Sequence, residues 1–246
     1  MKTYLALDVG GSSIKYALIQ EDSTILEKSS VPTPMDTMDH FVETIGTIYD
    51  QYKDRIEGMA ISMPGIINPE IGYAFTGGAL RYIDKMNIVD ILKERCPINI
   101  TIGNDAKCAA NAEIGYGNLQ DIQDGAVVIL GTGIGGCLIK DHKVHTGRHF
   151  SAAELSFVKT NCLDGIGWDY AWSTRNGIKG LLERVQESLG TNQEYTGIEI
   201  FDMANEGNEK VIEGISQFCK EVATQIFNVH IIFDCEKVAI GGGISA

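Results

Sequence analysis

Three glycine-rich turns, each behind an apolar, strand-like run, constrain this chain more than any other feature. They are Asp8-Val9-Gly10-Gly11, Gly131-Thr132-Gly133-Ile134-Gly135-Gly136 and Gly241-Gly242-Gly243. Without a Cβ, glycine lets main-chain N–H groups point at an anion and approach it closely, and three such turns in one chain point to a nucleotide. The second turn matches G-x-G-x-x-G behind the strand Ala126–Leu130, the arrangement of a dinucleotide-binding fold. A helix should then follow. Instead Cys137–Lys140 and Lys143–Val144, around Asp141-His142, read as a hairpin. The first turn likewise joins two strands, Tyr4–Leu7 and Ile14–Ile19. A Rossmann site therefore does not fit, and the absence of G-x-x-x-x-G-K-[ST] excludes a P-loop.

With 246 residues, 44% of them hydrophobic, the chain can build one large domain or two modest ones around a substantial core. No apolar run approaches the ~18 residues of a membrane span, and Asp8 interrupts the start where a signal peptide needs apolar residues, so no membrane partner and a cytoplasmic location are expected. A net charge of −13 with no Lys/Arg cluster argues against nucleic acid. The six cysteines form no C-x-x-C pair, which indicates neither a disulfide framework nor a zinc framework. Cys108, Cys137 and Cys219 sit in apolar or small-residue stretches and read as packing residues.

Along the chain, Met38, Phe41, Val42, Ile45, Ile48, Tyr49 and Tyr52 repeat at helical spacing behind Asp36 and Thr37, either of which can cap the helix. Strands are expected at Gly58–Ser62, stopped by Pro64-Gly65, and at Ile98–Ile102, stopped by Gly103-Asn104-Asp105. Between them Asn87 caps a helix through Ile88, Val89, Ile91 and Leu92. An alanine-rich helix ends at Gly115-Tyr116-Gly117, after which the plan repeats: strand–glycine–strand at 126–140, helices near 178–189 and 209–228, and Lys237–Ile240 leading into the last turn. This is an α/β chain of two similar domains, 1–115 and 116–246, facing each other around a cleft.

Asp8, at a strand end beside the first turn, can hold Mg²⁺ against phosphates, although aspartate also favours turns for purely local reasons. Lys15 reads equally as a solvated strand residue and as a charge near phosphate. Asn104 and Asp105 arrive at the carboxyl edge of a sheet, where open α/β sheets place ligands, and Asp105 can serve as a base for an attacking hydroxyl. Capping of the following helix is the competing reading for both. Glu154 is one charge among small residues in Ala152–Ser156, suited to a close-approaching ligand or simply to the surface.

Together these segments resemble the ROK family of sugar kinases and sugar-responsive repressors, which have the ribonuclease H-like, actin-like ATPase fold. Asp8-Val9-Gly10-Gly11-Ser12-Ser13-Ile14-Lys15 is similar to the family's first phosphate motif, D-x-G-G-T-x-x-K, with Ser12 for threonine. Ser62–Gly65 resembles its sugar-side Pro-Gly turn, Asn104–Ala106 its catalytic segment, Leu130–Gly136 its second phosphate motif and Gly241–Ser245 its adenosine-side loop. The resemblance implies an ATP- and Mg²⁺-dependent kinase that transfers the γ-phosphoryl group to the 6-hydroxyl of a hexose or glucosyl unit. It makes Asp105 the base; Gly65, Asn104, Glu154 and Asp169 the sugar side; and Asp8, Gly10, Gly11, Ser12, Lys15, Gly131, Thr132, Gly133, Gly135, Gly242 and Gly243 the nucleotide side, with Asp8 positioning the Mg²⁺. Homodimers are common in the family.

The departures from the family pattern lie mostly on the sugar side. Phe157 stands where many members have a histidine that binds sugar and zinc, the cysteine-rich loop is replaced by Asn161–Tyr170, and Gly77–Tyr82 replaces an Asn-Leu-x-Trp sugar motif, so no zinc site is expected. This resembles the zinc-less branch containing β-glucoside kinases, whose substrates carry a group at the anomeric carbon. Phe157, Trp168 and Tyr170 then read either as packing on that group or as core residues. The family continues past the residue equivalent to Ala246 with further helices, so a chain that is either truncated or unusually short is expected here, with an effect on adenosine binding and stability. Of the alternatives, a repressor needs a DNA-binding module, which no part of this sequence resembles. A non-catalytic sugar-binding protein, an N-acetylmannosamine or fructose kinase, or an ATP hydrolase would fit part of the pattern.

Overall fold

The computed structural model describes residues 1–163, 165 and 167–245. Asp164 and Ile166, within the segment standing in for the zinc loop, and Ala246 lie outside the described residues. The chain divides into two compact units, Met1–Cys108 and Ala109–Ala246.

The first unit is laid out as β1 (Thr3–Val9), β2 (Ser13–Gln20), β3 (Ile25–Pro32), α1 (Met38–Tyr52), β4 (Met59–Met63), β5 (Ile67–Asn68), β6 (Tyr73–Thr76), β7 (Asp84–Asn87), α2 (Ile88–Arg95) and β8 (Ile100–Asn104). Its main sheet runs β3-β2-β1-β4-β8, antiparallel from β3 to β1 and parallel from β1 to β8. Alternate residues Leu5, Leu7 and Val9 point into the core, where Phe41, Ile45 and Ile48 of α1 meet them. Thr37, rather than Asp36, caps α1 by accepting the His40 N–H at 3.2 Å. Asn87 caps α2 as its sequence suggests.

The helix α3 (Asp105–Tyr116) leads into β9 (Gly125–Leu130), β10 (Ile134–Lys140), β11 (Lys143–His145), α4 (Trp172–Asn176), α5 (Ile178–Leu189), α6 (Gly197–Asn205), α7 (Glu209–Phe233) and β12 (Lys237–Gly241). The second sheet, β11-β10-β9-β12, repeats the logic of the first: antiparallel on one side of its glycine-turn strand, parallel on the other. β9 is buried on both faces, which explains its unbroken Ala-Val-Val-Ile-Leu run. Val128 and Leu130 meet Leu181, Val185 and Phe218 of α5 and α7, while Val127 meets Ala110, Leu119 and Ile122. Among the described residues no helix is long and apolar enough to cross a membrane.

Several expectations need correction. The strand expected from Ile98 begins at Ile100, and the last helix runs to Phe233 rather than ending near 228. Cys219 is exposed, so packing does not account for it, whereas Cys137 is buried as expected. α4, α6, β3 and the small sheet β5-β6-β7 were not anticipated.

Candidate active site

In the first unit, parallel pairing brings the candidate residues together. Asp8 lies beside Ser62, Ser62 beside Gly103, and Met63 beside Asn104, so three strands end at one edge carrying Asp8, the Pro64-Gly65 turn and Asn104-Asp105. The Ser62 hydroxyl donates to the Asp8 carboxylate at 3.1 Å. Lys15 stands directly across from Asp8 on β2, and both are exposed, with no ion pair between them among the described residues. The first glycine turn is closed by the Gly10 N–H donating to Ser13 at 3.0 Å. Thr33, just past β3 and only 7% exposed, braces this turn: its hydroxyl donates to the Gly10 carbonyl at 2.7 Å and its N–H to Ser12 at 3.2 Å. Sequence reasoning missed Thr33 because nothing local links it to residue 10.

Gly65 adopts φ +112°, and a Cβ there would lie 2.0 Å from the Thr76 carbonyl oxygen. Only glycine fits. Its carbonyl accepts a 2.9 Å hydrogen bond from Asn104 Nδ2, while Asn104 Oδ1 accepts the Lys107 N–H at 3.1 Å. The capping reading of Asn104 is thus what the structure draws, and the same amide ties the Pro-Gly turn to the start of α3.

Asp105 follows immediately, its carboxylate accepting the Ala106 N–H at 2.8 Å. The side chain keeps one side open to solvent, yet most of its surroundings are protein. Burial pushes its carboxyl above the usual aspartate range; the Ala106 N–H opposes the rise, nearby Asp8 adds to it, and the Lys107 ammonium opposes it. Lys107, buried at 6% exposure, is a second contributor that no local sequence pattern marks out. Beside them the Cys108 thiol is pushed up to about 11, chiefly by burial, which keeps it neutral and unreactive.

In the second unit, the Gly131 N–H donates to Gly133 at 3.0 Å, and the Ile134 N–H donates to the Ser173 hydroxyl of α4 at 3.2 Å. Thr132 is exposed at the apex, and Gly135 lies inside β10, opposite Ile129, rather than in the turn itself. The last loop follows β12, where Gly242 has φ +102° and a Cβ would lie 2.2 Å from the Leu130 carbonyl oxygen. The Ile244 N–H donates to that same oxygen at 3.2 Å, which places this loop beside the end of β9. Among the described residues the N–H groups of Gly11, Ser12, Thr132 and Gly243 have no protein acceptor. Unmatched main-chain donors on turns with no side chain at Gly131 or Gly243 suit phosphate oxygens. Glu154 is half-buried just ahead of a 3-10 turn, Leu155–Phe157, and Asp169 is exposed.

A family model described as "ROK family" matches residues 4–246. A curated N-acetyl-D-glucosamine kinase of Haemophilus influenzae is 28% identical, covering 98% of this chain and 84% of that protein. A β-glucoside kinase of Listeria monocytogenes is 29% identical, covering 98% and 82%. A ROK family protein of Streptococcus pneumoniae, solved in complex with sucrose, is 27% identical with a TM-score of 0.82, covering 99% and 81%. With its actin-like ATPase fold, the chain belongs to the ROK family.

Proposed function

We propose that this protein transfers the γ-phosphoryl group of ATP to the 6-hydroxyl of a hexose or glucosyl unit, with Asp105 as the base. That it is a sugar kinase, a phosphotransferase with an alcohol acceptor, follows from its family and its curated relatives. The observation that supports the proposed mechanism best is Asp105 itself, a carboxylate whose surroundings lift its proton affinity towards the working range of a base. Asp8, Gly10, Gly11, Ser12 and Lys15 are assigned to the phosphates, as are Gly131, Thr132, Gly133 and Gly135, with Gly242 and Gly243 beside the adenosine. Gly65, Asn104, Glu154 and Asp169 are assigned to the sugar, and Asn104 also holds Gly65 and the start of α3 beside Asp105.

Mg²⁺ fits the exposed Asp8 carboxylate, since this ion takes one or two carboxylates together with substrate phosphates; when bound it neutralises charge that develops on the transferring group. The chain's own work is to hold the phosphates on main-chain donors, orient the sugar hydroxyl and accept its proton at the Asp105 carboxylate. A cytoplasmic location fits the dependence on ATP. A β-glucoside is the favoured acceptor, in keeping with the relative that phosphorylates β-glucosides and the one that holds a disaccharide.

The reading is tested by ADP release with Mg²⁺-ATP against glucose, N-acetylglucosamine, N-acetylmannosamine, fructose, cellobiose and a simple β-glucoside. Turnover is expected to be strongest with the glucosides. No sugar-dependent release from folded protein overturns it.

The pH profile gives a separate check. A base works deprotonated, so the rate falls as pH drops through the Asp105 pKa, and that acid limb is expected above the ordinary aspartate range. Lys107→Met removes the cation that opposes the rise, so the limb should move to higher pH. A limb that stays in place shows that another group controls it.

A further inference from the structure

Two arms of chain leave the core of the second unit side by side. The Thr160 N–H donates to Tyr170 at 2.8 Å, the Trp172 N–H donates to Val158 at 2.7 Å, and Lys159 pairs with Ala171 in an antiparallel bridge. Leu155 and Trp172, 5% and 0% exposed, anchor the arms in the core. The same arms then hold two aromatic rings away from it. Phe157 and Trp168 are 54% and 55% exposed, yet their ring centroids lie 4.9 Å apart at 47°. The core reading of these two residues is therefore wrong. Tyr170 is half-buried, with the Arg175 guanidinium 5.9 Å from its ring centroid, and is not part of the exposed pair.

Leaving two large rings in water forgoes the burial that Trp172 obtains nearby, so the exposed pair calls for an occupant. Its neighbours indicate the chemistry. Phe157 comes three residues after Glu154 and Trp168 immediately before Asp169, so the arms that present the rings also carry the two carboxylates assigned to sugar hydroxyls. Carboxylates that fix hydroxyls, combined with rings that offer apolar faces, suit a glycoside: its hydroxyls bind polar groups while its C–H faces or aryl ring pack on aromatics.

We propose that Phe157 and Trp168 form the subsite for the group at the anomeric carbon, an aryl ring or second sugar, and so set a preference for β-glucosides over free monosaccharides. The assignment rests on the kinase reading for the position of the sugar. The other role open to the pair is to clamp the arms together.

The test compares kcat/KM for cellobiose and phenyl β-glucoside with that for glucose in wild type, Phe157→Ala and Trp168→Phe, alongside tryptophan emission titrated with each sugar without ATP. The ratio of glucoside to glucose kcat/KM should fall about tenfold in Phe157→Ala, the loss of one well-packed aromatic contact. Of the two tryptophans only Trp168 is exposed, so phenyl β-glucoside should shift the wild-type emission, and Trp168→Phe should abolish that shift. A ratio that stays within about twofold in both variants, together with unaltered emission, overturns the subsite and leaves the clamp. If the wild type phosphorylates no sugar, the kinase reading falls, and the emission titration still decides the pair by itself.

Discussion

Asp105→Asn is expected to lower kcat by about 10²–10⁴-fold, the range removed with a general base, while leaving the fold intact. Asparagine is nearly isosteric, and its oxygen can keep the 2.8 Å hydrogen bond from the Ala106 N–H. Asn104, which fixes the start of α3 through Gly65 and Lys107, is untouched. Stability should hold or rise at neutral pH. The folded protein lifts the Asp105 pKa, so ionising this carboxylate is harder in the folded state than in the unfolded chain, and that penalty applies at pH values above the unfolded pKa. A site that destabilises its own fold to keep a reactive group is a common trade between stability and activity. Steady-state kinetics and thermal melting check both halves. A variant with wild-type kcat removes Asp105 from the chemistry, whereas one that melts much earlier shows that the carboxylate is structural.

The glycine turns were legible because their chemistry is local: an apolar run, a turn that needs no Cβ, and a second run. The equivalence of the two units was legible for the same reason, and it extends further than the sequence suggests. Gly65 follows β4 and Gly242 follows β12, each strand pairs in parallel with its glycine-turn strand, and each glycine has positive φ close against a carbonyl oxygen.

What stayed hidden depends on contacts distant along the chain or on elements without a periodic signal. β3 is an edge strand with six consecutive exposed residues and so shows no alternation, and β5 has only two residues. Thr33 and Lys107 matter through neighbours that folding supplies. Trp168 and Trp172 stand four positions apart in similar surroundings, yet one is exposed and the other buried, because the backbone ladder at Val158–Thr160 decides which points inward. Asn104 illustrates a different limit: ligand binding and helix capping call for the same residue type, and the sequence offered no means of choosing between them.

Glu221→Ala is expected to destabilise the protein by about 3 kcal/mol, the low end for breaking a buried pair, because the Glu221 side chain keeps 30% of its surface in water. Arg184 is 4% exposed, and its guanidinium grips Glu221 through two bonds, Nε to Oε1 at 3.0 Å and Nη2 to Oε2 at 2.8 Å. Burial, the largest influence, would raise the Glu221 pKa, but hydrogen bonds from Arg184, Gln217 and Asn176 together with the Arg184 charge outweigh it and hold the carboxyl below the usual glutamate range. A depressed carboxylate contributes stability above its unfolded pKa and loses it as pH falls through the folded one, so the pair should weaken only in acid. Truncation leaves the buried arginine only the long contacts of its Nη1 with Glu183 at 3.8 Å and the Gly180 carbonyl at 3.5 Å, and also removes the Asn176 Nδ2 acceptor at 3.1 Å, while Asn176 Oδ1 already has no partner among the described residues. Asn176 ends α4, and α4 carries Ser173, the hydroxyl that accepts from Ile134 at the second glycine turn. The loss should therefore reach the nucleotide side, with a higher KM for ATP as well as a lower urea midpoint. Arg184→Met combined with Glu221→Met should recover most of the stability, because two apolar residues leave no buried charge unpaired. An unaltered midpoint in Glu221→Ala would mean that Arg184 reaches water or another acceptor, and that the α5–α7 contact stands on its apolar residues alone.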